Sequence, residues 1–428
     1  MLRRPEAVYL DTTYLRGLAY MAPAVVTVQG AGYLLQVAIA ALLGPTELGV
    51  VRSVDAVLGL CVIIASVGMP SLAVRYVAEI DDLVARGQLL ARLLLIVTCS
   101  GLVVSSVVWA LSSRLTDISA VPYLQRLVWV IPLAACARTA LNYYQGSRQI
   151  RRYSVLSVSV ACGVLPLSLV AVSLRGLSGW VWSRYGAEAI ALVAAVLPLA
   201  GVLRGVGRLP SMYSPWRLAQ VGGVLSMSLL VRSSLDNLGT LALVAVGTPT
   251  SQIGDYGIGV LVMLGLLVVP ACVGSLALPT FVRRLSRPHA LRMTFHRTAR
   301  LCLAATVPLS ILGIAVSPLV VREIFPAYGA SIPVIQALLV TVPVRSLTTA
   351  SGALLVALDQ VDVTLVANLM ILSAGAVLML SLTPTFGIVG AAWATVGVEG
   401  ASALVYGLLA KRGLSCHRLR TRESNLIG

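Results

Sequence analysis

The chain alternates long apolar stretches with short polar punctuation. Twelve runs of about 20 or more mostly apolar residues fall at approximately 17–43, 50–72, 89–111, 121–143, 154–175, 182–204, 217–247, 255–280, 299–321, 331–357, 361–382 and 388–410. Each is long enough to cross the hydrocarbon core of a bilayer. The runs are continuous and lack the period-2 alternation of barrel strands, so they predict helices. Pro23, Pro132, Pro166, Pro198, Pro270 and Pro308 lie inside them and predict kinks. The connections are short and marked by glycine or proline, as at Gly44-Pro45, Gly247-Thr248-Pro249 and Pro384-Thr385-Phe386-Gly387. None is long enough for a folded extramembrane domain. The expected fold class is therefore an all-α integral membrane protein of about twelve transmembrane helices.

Composition agrees. Of 428 residues, 58% are hydrophobic and 11% charged, and the mean hydropathy is +0.92. A soluble domain carries roughly 25% charged residues. These values exclude an ordinary soluble enzyme, a disordered chain and a disulfide scaffold. The seven cysteines have no CxxC spacing and read as small apolar filler. No metal site and no cofactor is expected. The first apolar run is too long for the core of a removable signal.

The formal charge of +16 first suggests nucleic acid, but its distribution excludes that partner. With the N-terminus placed inside, 23 of the 32 Lys+Arg fall in inner segments and 4 in outer ones, namely Arg114, Arg175, Arg184 and Arg322. Arg52, Arg126, Arg138, Arg232 and Arg345 lie within spans. Such a bias sets orientation and places arginines against anionic membrane lipids. It predicts a multi-pass protein of the cell membrane with both termini cytoplasmic.

The halves are alike. Gly44-Pro45-Thr46-Glu47-Leu48-Gly49 leads into span two, and Thr248-Pro249-Thr250-Ser251-Gln252-Ile253-Gly254 into span eight, an offset of 205. Gly68-Met69-Pro70 and Ala277-Leu278-Pro279 close those spans. Arg138 and Arg345 correspond at an offset of 207. Six plus six spans starting on one side imply parallel repeats. The predicted units are an N-terminal six-helix lobe (1–210), a C-terminal six-helix lobe (211–412) and a basic cytoplasmic tail (413–428).

Leu43-Gly44-Pro45-Thr46-Glu47-Leu48-Gly49, Ser66-Val67-Gly68-Met69-Pro70 and Val74-Arg75-Tyr76-Val77-Ala78-Glu79 resemble the opening of the oligosaccharide flippases. These Wzx-like proteins form the polysaccharide-transporter branch of the multidrug/oligosaccharidyl-lipid/polysaccharide (MOP) exporter superfamily. Phe325-Pro326-Ala327-Tyr328-Gly329-Ala330-Ser331 and Gly387-Ile388-Val389-Gly390-Ala391-Ala392-Trp393-Ala394-Thr395 resemble later segments of the same family. The resemblance covers about residues 15–410. Leu48 and Val51 stand where the family usually has aromatics, and Arg52 adds a charge. The resemblance implies two pseudo-symmetric six-helix lobes around a central cavity. It implies a transporter, not an enzyme, that flips a polyprenyl-diphosphate-linked oligosaccharide from inner to outer leaflet by alternating access. Its partners would be that lipid-linked oligosaccharide, membrane lipids, and the glycosyltransferases or polymerase of polysaccharide assembly.

The residues carry their own argument for an anionic ligand. Arginine at a span centre costs about 2.5–3.5 kcal/mol on insertion scales, so it should face a cavity or a partner. Its planar fork suits phosphate. Arg232, Arg345, Arg138 and Arg52 are the candidates for a cationic cavity. Asp236, Asn237, Asp55 and Ser233 are the polar lining candidates, since Arg232/Asp236 and Arg52/Asp55 can meet on one helix face. The competing structural reading is that Asp236 simply neutralises Arg232. Glu399 and Asp236 are the candidates for ion coupling. Glu188, near the outer end of span six, reads as interfacial. The inner stretch 283–300, with His289 and His296, reads as lipid contact. The alternative function is a proton- or sodium-coupled exporter of drugs or small solutes. A glycosyltransferase or polymerase is disfavoured: the only adjacent acidic pair is Asp81-Asp82, and no GxxxxGK[ST] stretch exists.

Overall fold

A computed structural model describes residues 12–427, apart from 81, 148, 200–213, 286, 287 and 359. Arg3, Arg4, Asp81, Arg148, Arg204, Arg208, Arg287 and the lobe boundary at 210/211 lie outside the described residues. The helices are α1 (Thr12–Leu43), α2 (Pro45–Ser66), α3 (Met69–Glu79), α4 (Leu83–Leu115), α5 (Val121–Leu127), α6 (Val130–Gly146), α7 (Ile150–Val196), α8 (Pro215–Ala245), α9 (Thr250–Arg283), α10 (Pro288–Ile324), α11 (Ile332–Ala357) and α12 (Val361–Ile427). Short 3-10 turns lie at Leu197–Leu199 and Pro326–Ser331. Among the described residues no strand occurs.

Nine helices among the described residues are long and apolar enough to span, and α5–α6, bent by 46°, adds a tenth. Two of the nine are double. α7 reverses at Gly176 (φ 58°, ψ −134°) and α12 at Gly387 (φ 58°, ψ −141°), a backbone region open essentially to glycine alone. Three residues on, Gly179 and Gly390 press against the carbonyls of Ala171 and Leu382. A Cβ there would fall 1.8 and 2.3 Å from those oxygens. Each is a helical hairpin with almost no loop. Dividing both brings the ten to the twelve spans the apolar runs predict. α12 also continues as helix to Ile427, past the apolar stretch that ends at Ser415.

In the first lobe α1 and α6 pack on α7, and α2, α3 and α4 pack on α6. In the second, α9, α10 and α12 surround α11, with α8 against α12. Large apolar side chains such as Leu174 and Val377 face outward, as lipid contact requires. Helices in lipid gain little from hydrophobic burial against each other, so small residues and close packing carry their association. The seam between lobes follows that rule. α2 lies along both α9 and α8. A Cβ on Gly49 would sit 1.7 Å from the Thr250 carbonyl oxygen, and one on Gly254 would sit 1.8 Å from that of Pro45. Thr250 and Pro45 differ by the same 205 positions as the two glycines, so the contact is reciprocal. At the other end of α2, Gly68 and Gly222 meet equally closely.

Candidate binding site

A cavity of about 440 Å³ lies between α1 of the first lobe and α8, α9 and α11 of the second. Gln29, Tyr33 and Gln36 enter from α1, Arg232 from α8, and Arg345 and Thr349 from α11. On α1 the three polar residues recur at i, i+4 and i+7, one helical face. Tyr33 reaches its place because Gly265 of α9 has no side chain: a Cβ there would come within 2.8 Å of the tyrosine ring and hydroxyl.

Arg345 is the most enclosed cation of this group, its side chain 13% exposed. It donates to Asp236 of α8, and its Nη1 lies 3.5 Å from Glu399 Oε1 of α12. Asp236 also takes Arg232, one turn away on α8, at 3.5 Å. Two arginines and two carboxylates thus form one chain, Arg232–Asp236–Arg345–Glu399, whose charges cancel. Arg232 and Asp236 are the open end, 40% and 38% exposed. Glu399, 12% exposed, is the closed end. Asn237 and Ser233 are not among the cavity's lining groups; the Asn237 amide donates to the Ser233 carbonyl at 2.9 Å, within one turn of α8.

The first lobe holds a counterpart. The charged groups facing Arg138 are Glu188 and Arg184. Arg184 Nη2 lies 3.2 Å from Asp55 Oδ1. Two expectations change here. Glu188 is not interfacial: it lies twelve residues past the Gly176 reversal, roughly 18 Å along its helix. Arg184 is not in an outer segment but within the same span, paired to Asp55. Both follow from span six beginning at 177, directly after the reversal. The signal was present in the sequence. Gly176-x2-Gly179-x2-Trp182-x3-Gly186-x-Glu188 repeats as Gly387-x2-Gly390-x2-Trp393-x3-Gly397-x-Glu399, at a constant offset of 211. Each lobe therefore carries an arginine and a glutamate at matching positions, Arg138 and Glu188 in the first and Arg345 and Glu399 in the second, and the second two form an ion pair.

Arg52 has a separate place. Its Nη2 donates to the Gly257 carbonyl at 3.4 Å across the α2–α9 seam, and its side chain lies over Gly257. Gly257 is the position equivalent to Arg52 at the offset of 205, so an arginine on one helix fills the space its glycine counterpart leaves. Among the described residues no cluster of His, Cys, Asp and Glu could hold a metal ion. Cys61, Cys99, Cys136, Cys162 and Cys302 are free.

The model of a family described as polysaccharide biosynthesis protein matches residues 38–328, more than half the chain. The chain belongs to the polysaccharide biosynthesis protein family. No curated protein matches it in sequence. Solved structures share the fold. An inward-facing multidrug resistance MATE family transporter of the MOP superfamily superposes with a TM-score of 0.73 at 15% identity, covering 92% of this chain and 99% of that one. An outward-facing member gives 0.63 at 16% identity, over 96% and 97%. A MOP superfamily transporter from Pyrococcus furiosus, described as having a binding pocket of reverse polarity, gives 0.64 at 12% identity, over 94% and 96%. This family member thus has the two-lobed MOP transporter fold.

Proposed function

We propose that the protein is a flippase for a lipid-linked oligosaccharide, moving a polyprenyl-diphosphate-linked sugar chain from the inner to the outer leaflet of the cell membrane by alternating access. The observation that carries this reading is the inter-lobe cavity lined by Arg232 and Arg345 together with Gln29, Gln36, Tyr33 and Thr349. A diphosphate offers an anion that two guanidinium forks can hold bidentately. Amide and hydroxyl groups alongside suit sugar hydroxyls. Membership of a polysaccharide biosynthesis family supports the same substrate class. Because Asp236 bridges the two arginines, the diphosphate must displace a carboxylate to bind, so loading opens the Asp236 contacts.

The second reading is a proton- or sodium-coupled exporter of drugs or small solutes. What favours it is that the charges of the cavity chain cancel, with Asp236 and Glu399 the carboxylates available for coupling. Titration of the purified protein with a polyprenyl-diphosphate oligosaccharide separates the two. Saturable binding that is lost in Arg345→Ala/Glu399→Gln, a variant that leaves no unpaired Glu399, supports the flippase. A cationic dye binding in place of the oligosaccharide supports the exporter.

A further inference from the structure

We propose that the arginine-rich end of the second lobe carries a separate binding site for the phosphate headgroup of an anionic membrane lipid. The first turns of α10 bring His289, Arg292 and His296 to one side at i, i+3 and i+7. Residues 407–415 of α12 bring Gly407, Lys411 and Ser415 to face them at i, i+4 and i+8. The two helices enclose a cavity of about 430 Å³. Phe295 and Leu414 complete its wall, and Gly407 leaves open space where a side chain would project. On the other flank of α10 a cavity of about 620 Å³ is lined by Arg284, Arg297 and Arg300 and shares His296. No described acidic side chain forms an ion pair with Arg292 or Lys411. The central cavity is different: there each arginine meets a carboxylate.

Two features select a lipid over a soluble anion. Below Lys411, Leu408 and Leu404 of α12 are exposed, and Leu301 of α10 is exposed beside the neighbouring cavity. A basic mouth thus continues into apolar helix faces, which an acyl chain can follow. The corresponding end of the first lobe differs: α4 begins with Asp82, whose carboxylate accepts from the Val84 and Ala85 amides and brings negative charge.

The test titrates the purified full-length protein, held in phosphatidylcholine nanodiscs, with phosphatidylglycerol, with further phosphatidylcholine and with inorganic phosphate. Native mass spectrometry counts the retained lipid. Selective, saturable retention of phosphatidylglycerol is expected. Arg292→Ala/Lys411→Ala should weaken it roughly thirtyfold, since each cation near an anionic surface contributes about 1 kcal/mol. Arg292→Lys/Lys411→Arg should retain it, which separates charge from folding. Arg345→Ala/Glu399→Gln should also retain it, so the outcome is independent of the central cavity. Equal retention of phosphatidylcholine, unchanged retention in the double alanine variant, or displacement of the lipid by millimolar inorganic phosphate would overturn the assignment.

Discussion

Arg138 faces Glu188 in the first lobe, and Arg345 faces Glu399 in the second. What surrounds each pair differs. In the first lobe the further partners are Arg184 and Asp55, and no member of the group lines the inter-lobe cavity. In the second lobe they are Arg232 and Asp236, and both arginines line it. One repeated arginine and glutamate thus stand apart from the cavity in one lobe and form the inner end of a cavity-facing chain in the other. The difference comes from single positions. Arg184 corresponds to Thr395, which bonds Tyr256 instead, and Arg232 shares Asp236 with Arg345 of α11.

The strongest way to break this comparison is to remove the arginines. Arg345→Ala leaves Glu399 buried without its cation and should cost about 3 kcal/mol of stability; Arg138→Ala should cost less, because Arg138 is exposed. Denaturation in detergent measures both. Oligosaccharide binding should vanish in the first and persist in the second, and equal binding in both would erase the distinction. Next in size are the two reversals. Gly176→Ala and Gly387→Ala force a side chain into a glycine-only conformation, at about 1–3 kcal/mol each, and their thermal shifts should match because the two hairpins match. Neutralising the repeated acids sharpens the contrast further. Glu399→Gln added to Arg345→Ala should recover part of the stability lost and none of the binding, and Glu188→Gln added to Arg138→Ala should recover stability alone. The smallest effect is expected from Asn237→Ala, under about 1 kcal/mol, since its amide donates to the Ser233 carbonyl of its own helix.

The spans were legible because a lipid-facing helix must be apolar along its whole length, and no loop intrudes. Arg232 and Asp236 were legible as a pair for a similar reason: i,i+4 spacing is local. The partners of Arg345 were not, since Asp236 and Glu399 sit on other helices, 109 and 54 positions away. The places of Glu188 and Arg184 are not legible, because the Gly176 turn has no polar loop to mark it and the apolar run reads as starting at Trp182. Periodicity sees only apolar length; the repeated glycine spacing carried the missing boundary. Arg52 reads from the sequence as a cavity candidate, and its glycine counterpart across the seam gives it a different place.

The seam itself has a mechanical consequence. α2 meets α9 at one end and α8 at the other through glycines, with backbone against backbone. Interlocked side chains act like ratchet teeth, and a pair of surfaces without teeth slides. α2 therefore resembles the spine of a book, and the cavity beside α1 the space between its pages. Over a helix of roughly 30 Å, a turn of roughly 10° about that spine moves the free edge by about 5 Å. Along the binding, the Arg52 side chain over Gly257 is a knob that such a turn must shift.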